Sequence, residues 1–341
     1  MKKHLSLLFT LIVLTCASAR AQSLPTLAPP ADAALPRIGI LVPVGPPDYA
    51  VILDVFKKQR TDTFGEIAFQ VGTLYDLPVV LSFAPGQGPL LRSLAAASMF
   101  EHYNIKTVIY PGTSGAHLGP AEMRIGDIVL GAKNVDFGNY AMAKDGSITG
   151  GQFGAKRKYG NFFADPALLR FAACSATRVA AHTALPAWDN TSPLAARKLT
   201  PDIFYFGIQG TSTTFITNLA FMKKLSDVFG MIDEDGDWYS NLAAALYHVP
   251  FIEVSVISNS IPEYPDTAHG EAAMPAGTPP TGDTNYQAQR ISNRIAIDLI
   301  QHYGAQMLAG TFTNPGESPY PAANFTTPKN PQQLLDGMDC K

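Results

Sequence analysis

Short apolar, β-branched runs alternate along this chain with segments of helical period, and that alternation restricts it to the α/β class. The run at 37–44, RIGILVPV, has the length and branching of a buried strand. Runs 78–83 and 107–110 read the same way, and between them Leu90, Leu91, Leu94, Ala97 and Met99 place a helix over 90–102. Further strands are predicted at 127–135, 203–208 and 251–258, and further helices at 165–183, 241–248 and 287–308. Asp165 can cap the first of these helices, with Pro166 suited to its first turn. In the last, Ile291, Ile295 and Leu299 lie on one stripe. The order predicts a sheet with parallel character. The stretch 261–285 holds Pro and Gly without periodicity and reads as a long, lid-like loop. Residues 22–36 read as a flexible leader, and the Pro-rich tail 311–341 as an extended surface segment.

The 341 residues are 46% hydrophobic and 16% charged, enough apolar material for a sizeable core. Residues 1–21 have the pattern of an export signal: Lys2 and Lys3, an apolar run at 5–14, and Ala19-Arg20-Ala21 as a small-x-small cleavage site. An uncleaved anchor is the alternative. Cleavage would remove three of the 25 basic side chains against 28 acidic ones, so the mature chain is more acidic than the formal −3 of the whole. That balance disfavours nucleic acid or an anionic membrane as a partner. Lys156-Arg157-Lys158, the densest basic cluster, reads as a solvated loop. A secreted or periplasmic location permits a disulfide between Cys174 and Cys340, although a buried Cys174 and a free Cys340 thiol would also fit. No C-x-x-C or H-E-x-x-H spacing is present, so no metal site is expected.

The candidate chemistry begins at Tyr110-Pro111-Gly112-Thr113-Ser114-Gly115-Ala116, read as a strand running into a small-residue loop. Glycines admit a ligand close to the backbone, and Thr113 and Ser114 add hydroxyls. Gly86-Gln87-Gly88 precedes the 90–102 helix, and Arg124-Ile125-Gly126-Asp127-Ile128-Val129 follows the loop. This order of G-x-G turn, helix, G-T/S-x-G segment and G-D-I-V strand resembles the nucleoside phosphorylase/nucleosidase superfamily. Leu242-Ala243-Ala244-Ala245 and Val249-Pro250-Phe251 continue the likeness, which spans residues 37–310.

The resemblance implies a single three-layer α/β/α domain with a central mixed, partly barrel-like sheet. It implies a small purine nucleoside as the partner, no metal or redox cofactor, and a homo-oligomer. Phe215 falls where the family stacks an aromatic ring on the base. A carboxylate for the ribose hydroxyls is expected within Asp233-Glu234-Asp235-Gly236-Asp237. An ungapped count puts Glu234 and Gly236 on the family's two acidic positions; a one-residue shift substitutes Asp235 or Asp237. Thr113 is a further ribose contact, and Gly86, Gly88, Gly112, Ser114 and Gly115 would line the nucleophile or phosphate loop. Where many relatives place an Asp that protonates the leaving base, this chain has Asn259, which can hydrogen-bond the purine N7 but cannot transfer a proton.

Phosphorolysis would need cations around the incoming dianion. Hexameric phosphorylases have an arginine where this chain has Tyr110, and the segment 44–50 carries none. Arg92 is near the G-x-G turn without an assigned role. Water is therefore favoured as nucleophile, as in the methylthioadenosine/adenosylhomocysteine nucleosidases, with Asp48 the nearest carboxylate to orient it. A phosphorylase using inorganic phosphate as co-substrate is the alternative. So is a non-catalytic binding or storage protein, which Asn259 would suit. A serine hydrolase is disfavoured by the absence of a G-x-S-x-G elbow.

Overall fold

A computed structural model describes residues 30–43, 49–83, 86, 88–150, 160–185, 199–272 and 283–340. The export signal, most of the leader, Asp48, Gln87, the 156–158 cluster and 273–282 of the lid-like stretch lie outside the described residues.

In chain order the strands are β1 (Arg37–Val42), β2 (Lys57–Phe64), β3 (Ile67–Leu74), β4 (Leu77–Phe83), β5 (Ile105–Ala116), β6 (Ile128–Asp136), β7 (Tyr140–Met142), β8 (Ile148–Gly150), β9 (Asn161–Phe163), β10 (Ile203–Thr211), β11 (Asp233–Glu234) and β12 (Phe251–Ser260). The helices are α1 (Ala50–Leu53), α2 (Pro89–His102), α3 (Pro166–Ala181), α4 (Leu219–Phe229), α5 (Trp238–Leu246), α6 (Thr284–Ala309), α7 (Ala322–Thr326) and α8 (Gln332–Leu335). The main sheet runs β11-β10-β6-β12-β5-β1-β4-β3-β2, and a further β11–β5 pairing closes its first five strands into a barrel. Parallel pairs join β1 to β4 and β5, and β5 to β12, as the strand–helix alternation predicted.

The sheet is apolar on both faces. On one side Tyr110, Val108 and Phe251 pack with Ala96 and Met99 of α2 and Ala243 and Ala244 of α5. On the other Ile109, Ile252, Val254 and Val256 pack with Leu168 and Ala172 of α3 and Ile295 and Leu299 of α6. Successive side chains of β5 and β12 point to opposite layers, which is the two-residue period of a strand. Asp165 accepts from the Ala167 and Leu168 N–H groups at the start of α3. Asp283 accepts from the Tyr286 N–H at the start of α6, and Gly310 closes that helix in a left-handed conformation.

Four expectations change. The Gly112–Ala116 segment is not a loop but the second half of β5, paired along its length with β12 and at Gly115 and Ala116 with β11 as well. The β2–β3 hairpin was not foreseen: KKQRTDTF has too few apolar residues to signal a strand, and β2 is an edge strand held by β3. The end of the leader is fastened to the domain, because Asp32 pairs with Arg37 and Arg60 and the Asn104 N–H donates to the Ala33 carbonyl. The tail is docked rather than draped: Tyr320 and Leu334 are buried, and the Tyr320 hydroxyl donates to the Ala164 carbonyl at 2.6 Å.

Arg170 of α3 donates to the Leu334 and Asp336 carbonyls, and Cys174, also on α3, is joined to Cys340 with a Cα–Cα distance of 5.1 Å. Cross-linking positions so far apart in sequence removes conformational freedom chiefly from the unfolded chain. Cys340→Ser is expected to lower stability by about 2–4 kcal/mol in non-reducing urea unfolding, with the difference from wild type abolished by reductant.

Candidate active site

The site forms where the open sheet turns into the barrel. Gly115 on β5 is opposite Glu234 on β11 and beside Asn259 on β12. A Cβ at Gly115 would come within 2.9 Å of Asn259 Nδ2 and 3.4 Å of Glu234 Cγ, so only glycine lets the two side chains approach across the strand.

Glu234 belongs to the wall of a cavity of about 310 Å³, lined also by Gly88, Pro89, Arg92, Phe137, Ser212, Thr213, Thr214, Phe215 and Asp235. Gly88 and Arg92 come from the start of α2, and 212–215 follow the end of β10. Phe215 stands at the rim, 43% exposed. Asp235 is exposed to the cavity but surrounded by protein mass, and its backbone has a φ of 77°. A non-glycine residue in that left-handed region is costly and is kept where its side chain has to be aimed.

Sequence reasoning left Glu234, Asp235 and Asp237 open as ribose acids. The structure puts the first two on the cavity wall. Asp237 is fully buried instead: it caps α5 by accepting from the Ser240 N–H and faces Arg92 Nε at 3.4 Å. Of the loop residues, Gly88 lines the cavity and Gly115 lies against the cavity residue Glu234. Thr113 turns away and donates to Asn285 Oδ1 at 2.9 Å, Ser114 is buried near Asp233, Gly112 lies against the Tyr110 ring, and Gly86 against Leu91. Asn259 donates from Nδ2 to the His269 carbonyl (2.8 Å) and accepts from the Ser258 hydroxyl (2.9 Å).

Two groups not singled out from the sequence complete the picture. His117, directly after the glycine segment, is 3.4 Å from Glu234 through Nε2, while its Nδ1 contacts Ser226 Oγ at 2.8 Å. Glu253 is wholly buried near the start of β12. It accepts from Asn134 Nδ2, the Asp237 N–H and the Ser255 hydroxyl, and Asn241 in turn donates to Asn134 Oδ1. An acid inside the otherwise apolar run FIEVSVIS was the signal available for it.

Arg92 also answers the question of missing cations. Its guanidinium is 5.3 Å from the centre of the Tyr110 ring, so a helix supplies the charge that the strand lacks. Burial works against that charge, but Tyr110, Asp237, Asp235 and Glu253 around it hold it firmly. Carboxyls outnumber it. Burial raises the pKa values of Asp233, Glu234, Asp235, Asp237 and Glu253, with His117 opposing the rise at Glu234 and Arg92 opposing it at Asp235 and Asp237. Despite these acids, no cluster of His, Cys, Asp or Glu among the described residues is arranged to hold a metal ion.

The chain matches no protein-family model. It also matches no curated protein. Solved structures do match its fold, and that fold is the one found in the nucleoside phosphorylase/nucleosidase superfamily. A methylthioadenosine/adenosylhomocysteine nucleosidase from Colwellia psychrerythraea, in complex with adenine, aligns with a TM-score of 0.56 at 17% identity over 81% of this chain and 96% of that one. The nucleosidase of Streptococcus pneumoniae in complex with 8-aminoadenine aligns at 0.56 and 14% identity over 78% and 99%. The futalosine hydrolase of Helicobacter pylori aligns at 0.55 and 14% identity over 79% and 98%.

The buried carboxyls make a prediction about stability. Burial holds Asp233 at about 7, above an ordinary value of about 4. The folded state therefore keeps this proton where the unfolded chain has lost it. The contribution of Asp233 is complete below about pH 4 and is lost as pH rises through about 7. Asp127, raised to about 6 by burial, is common to wild type and variant. The urea midpoint of Asp233→Asn is expected to fall less than that of wild type across this window. Parallel curves would show that Asp233 carries no such linkage.

Proposed function

We propose that this protein cleaves the N-glycosidic bond of purine nucleosides by hydrolysis. The observation that carries the reading is the charge of the cavity. Glu234 and Asp235 line it beside a single guanidinium, Arg92, whose Nε already faces the buried Asp237. An incoming phosphate dianion would be repelled there, whereas a sugar that turns oxocarbenium-like as C1′–N9 breaks would be stabilised. The volume suits a small ligand at the lower end of the usual range.

Phe215 covers one face of the base. Asp235, aimed by its backbone, accepts from the ribose hydroxyls. Glu234, with its pKa raised by burial, takes the proton of the attacking water. Asn259 offers its second Nδ2 hydrogen to an acceptor on the base. The Cys174–Cys340 bridge suits action in an oxidising compartment outside the cytoplasm.

One observation favours phosphorolysis instead: Arg92, the start of α2 and the hydroxyls of Ser212, Thr213 and Thr214 share the cavity and could hold an oxyanion. The deciding experiment incubates the purified protein with inosine, adenosine and methylthioadenosine, with and without phosphate. Free base without phosphate is expected; base released only with phosphate establishes a phosphorylase; binding without release establishes a non-catalytic protein. Asp235→Asn should lower kcat/KM by roughly 10- to 100-fold, the worth of a hydrogen bond to a charged group. Phe215→Ala should weaken purine binding by up to about tenfold, read by calorimetry.

A further inference from the structure

Asn259 leaves the proposed reaction without a proton donor, because an amide has no proton to transfer. The structure brings another group to the same place. The stretch 261–272 follows β12 and returns to its end, so that Ser260 N–H donates to the Gly270 carbonyl at 2.8 Å and Asn259 Nδ2 to the His269 carbonyl at 2.8 Å. Gly270 has a φ of 72°, and a Cβ there would come within 2.4 Å of the backbone at Ser260 and Ile261, so a glycine is required. Ala272 is buried in the main core just beyond. These contacts fix a short segment against the strand end that carries Asn259.

The segment presents an imidazole. The His269 ring meets the Phe215 ring edge-on, with centroids 5.0 Å apart, and the His269 carbonyl accepts from Asn259, so the residue contacts both side chains assigned to the base, one through its ring and one through its backbone. His269 Nδ1 is 3.0 Å from Glu271 Oε1. A carboxylate at Nδ1 fixes the tautomer and leaves Nε2 to carry the exchangeable proton. The charged groups lining the cavity are Arg92, Glu234 and Asp235, two carboxyls against one guanidinium.

We propose that His269 is the general acid for a purine leaving group, with Glu271 as its positioning residue; this rests on the glycosidic-cleavage reading above. As C1′–N9 breaks, its electron pair passes to the purine and the Nε2 proton of the imidazolium passes to N7, so the base leaves neutral. Water forms the new C–O bond at C1′ and loses its proton to Glu234. Solvent then exchanges protons with Glu234 and His269 and restores both. Asn259 serves to hold the base and the His269 backbone together.

The test separates leaving groups. Wild type, His269→Gln, His269→Ala, Glu271→Gln and Gly270→Ala are assayed on the purine nucleosides above and on p-nitrophenyl riboside, whose phenolate departs without protonation. His269→Gln and His269→Ala are expected to lose about 100-fold or more in kcat on purine nucleosides and to stay within about threefold of wild type on the nitrophenyl substrate. Glu271→Gln and Gly270→Ala should show smaller losses confined to the same substrates. Equal losses on both substrates, or none on either, overturn the role of His269 and leave the glycosidic reading intact. A wild type that cleaves neither substrate overturns both.

Discussion

The pairing of β5 with two different partners along its length determines the rest of the site. Its first half lies between β1 and β12, in the open sheet; its last two residues pair with β11 and close the barrel. One strand thus belongs to both parts of the sheet, and the change of partner happens beside Gly115. Because backbone hydrogen bonds set the register, Glu234 and Asn259 are brought to opposite sides of that glycine by main-chain geometry rather than by their own side-chain contacts.

Around this frame the electrostatics are unusual for a protein interior. Burying a carboxylate is expensive unless it is paired, and here one guanidinium and one imidazole serve a larger number of acids. The chain meets that cost in two ways. Arg92 is shared among Asp235, Asp237 and Glu253 and rests on Tyr110. The remaining cost falls on the pKa values, which rise until part of the charge is neutralised by protons. A pocket that is both acidic and poorly compensated suits a transition state with developing positive charge better than an anionic co-substrate.

Much of this was legible in the sequence because local signals and tertiary roles agreed. The Asp165–Pro166 helix start, the apolar strands and the stripe on α6 all appear where caps and periodicity put them. The misreadings share one cause, which is that local composition does not report what a segment is paired with. Gly-Thr-Ser-Gly looks like a turn until two neighbouring strands claim its backbone. Lys57–Phe64 looks like a polar loop until β3 supplies hydrogen bonds to it. Arg92 could not be placed from the sequence, since its role depends on a helix packing over a strand tyrosine. The acidic turn was located only as a group; choosing Asp235 over Asp237 required a backbone angle and a helix cap that no residue count reveals.

Carboxyls kept partly protonated by burial also act as a store of protons. A positive charge forming in the cavity lowers their pKa values and drives protons out to solvent; an anion entering does the reverse. The heat of binding a ligand here therefore includes the ionisation heat of whichever buffer receives or supplies those protons. Measured across buffers, that difference counts the protons moved and gives the sign of the charge the cavity was built to receive.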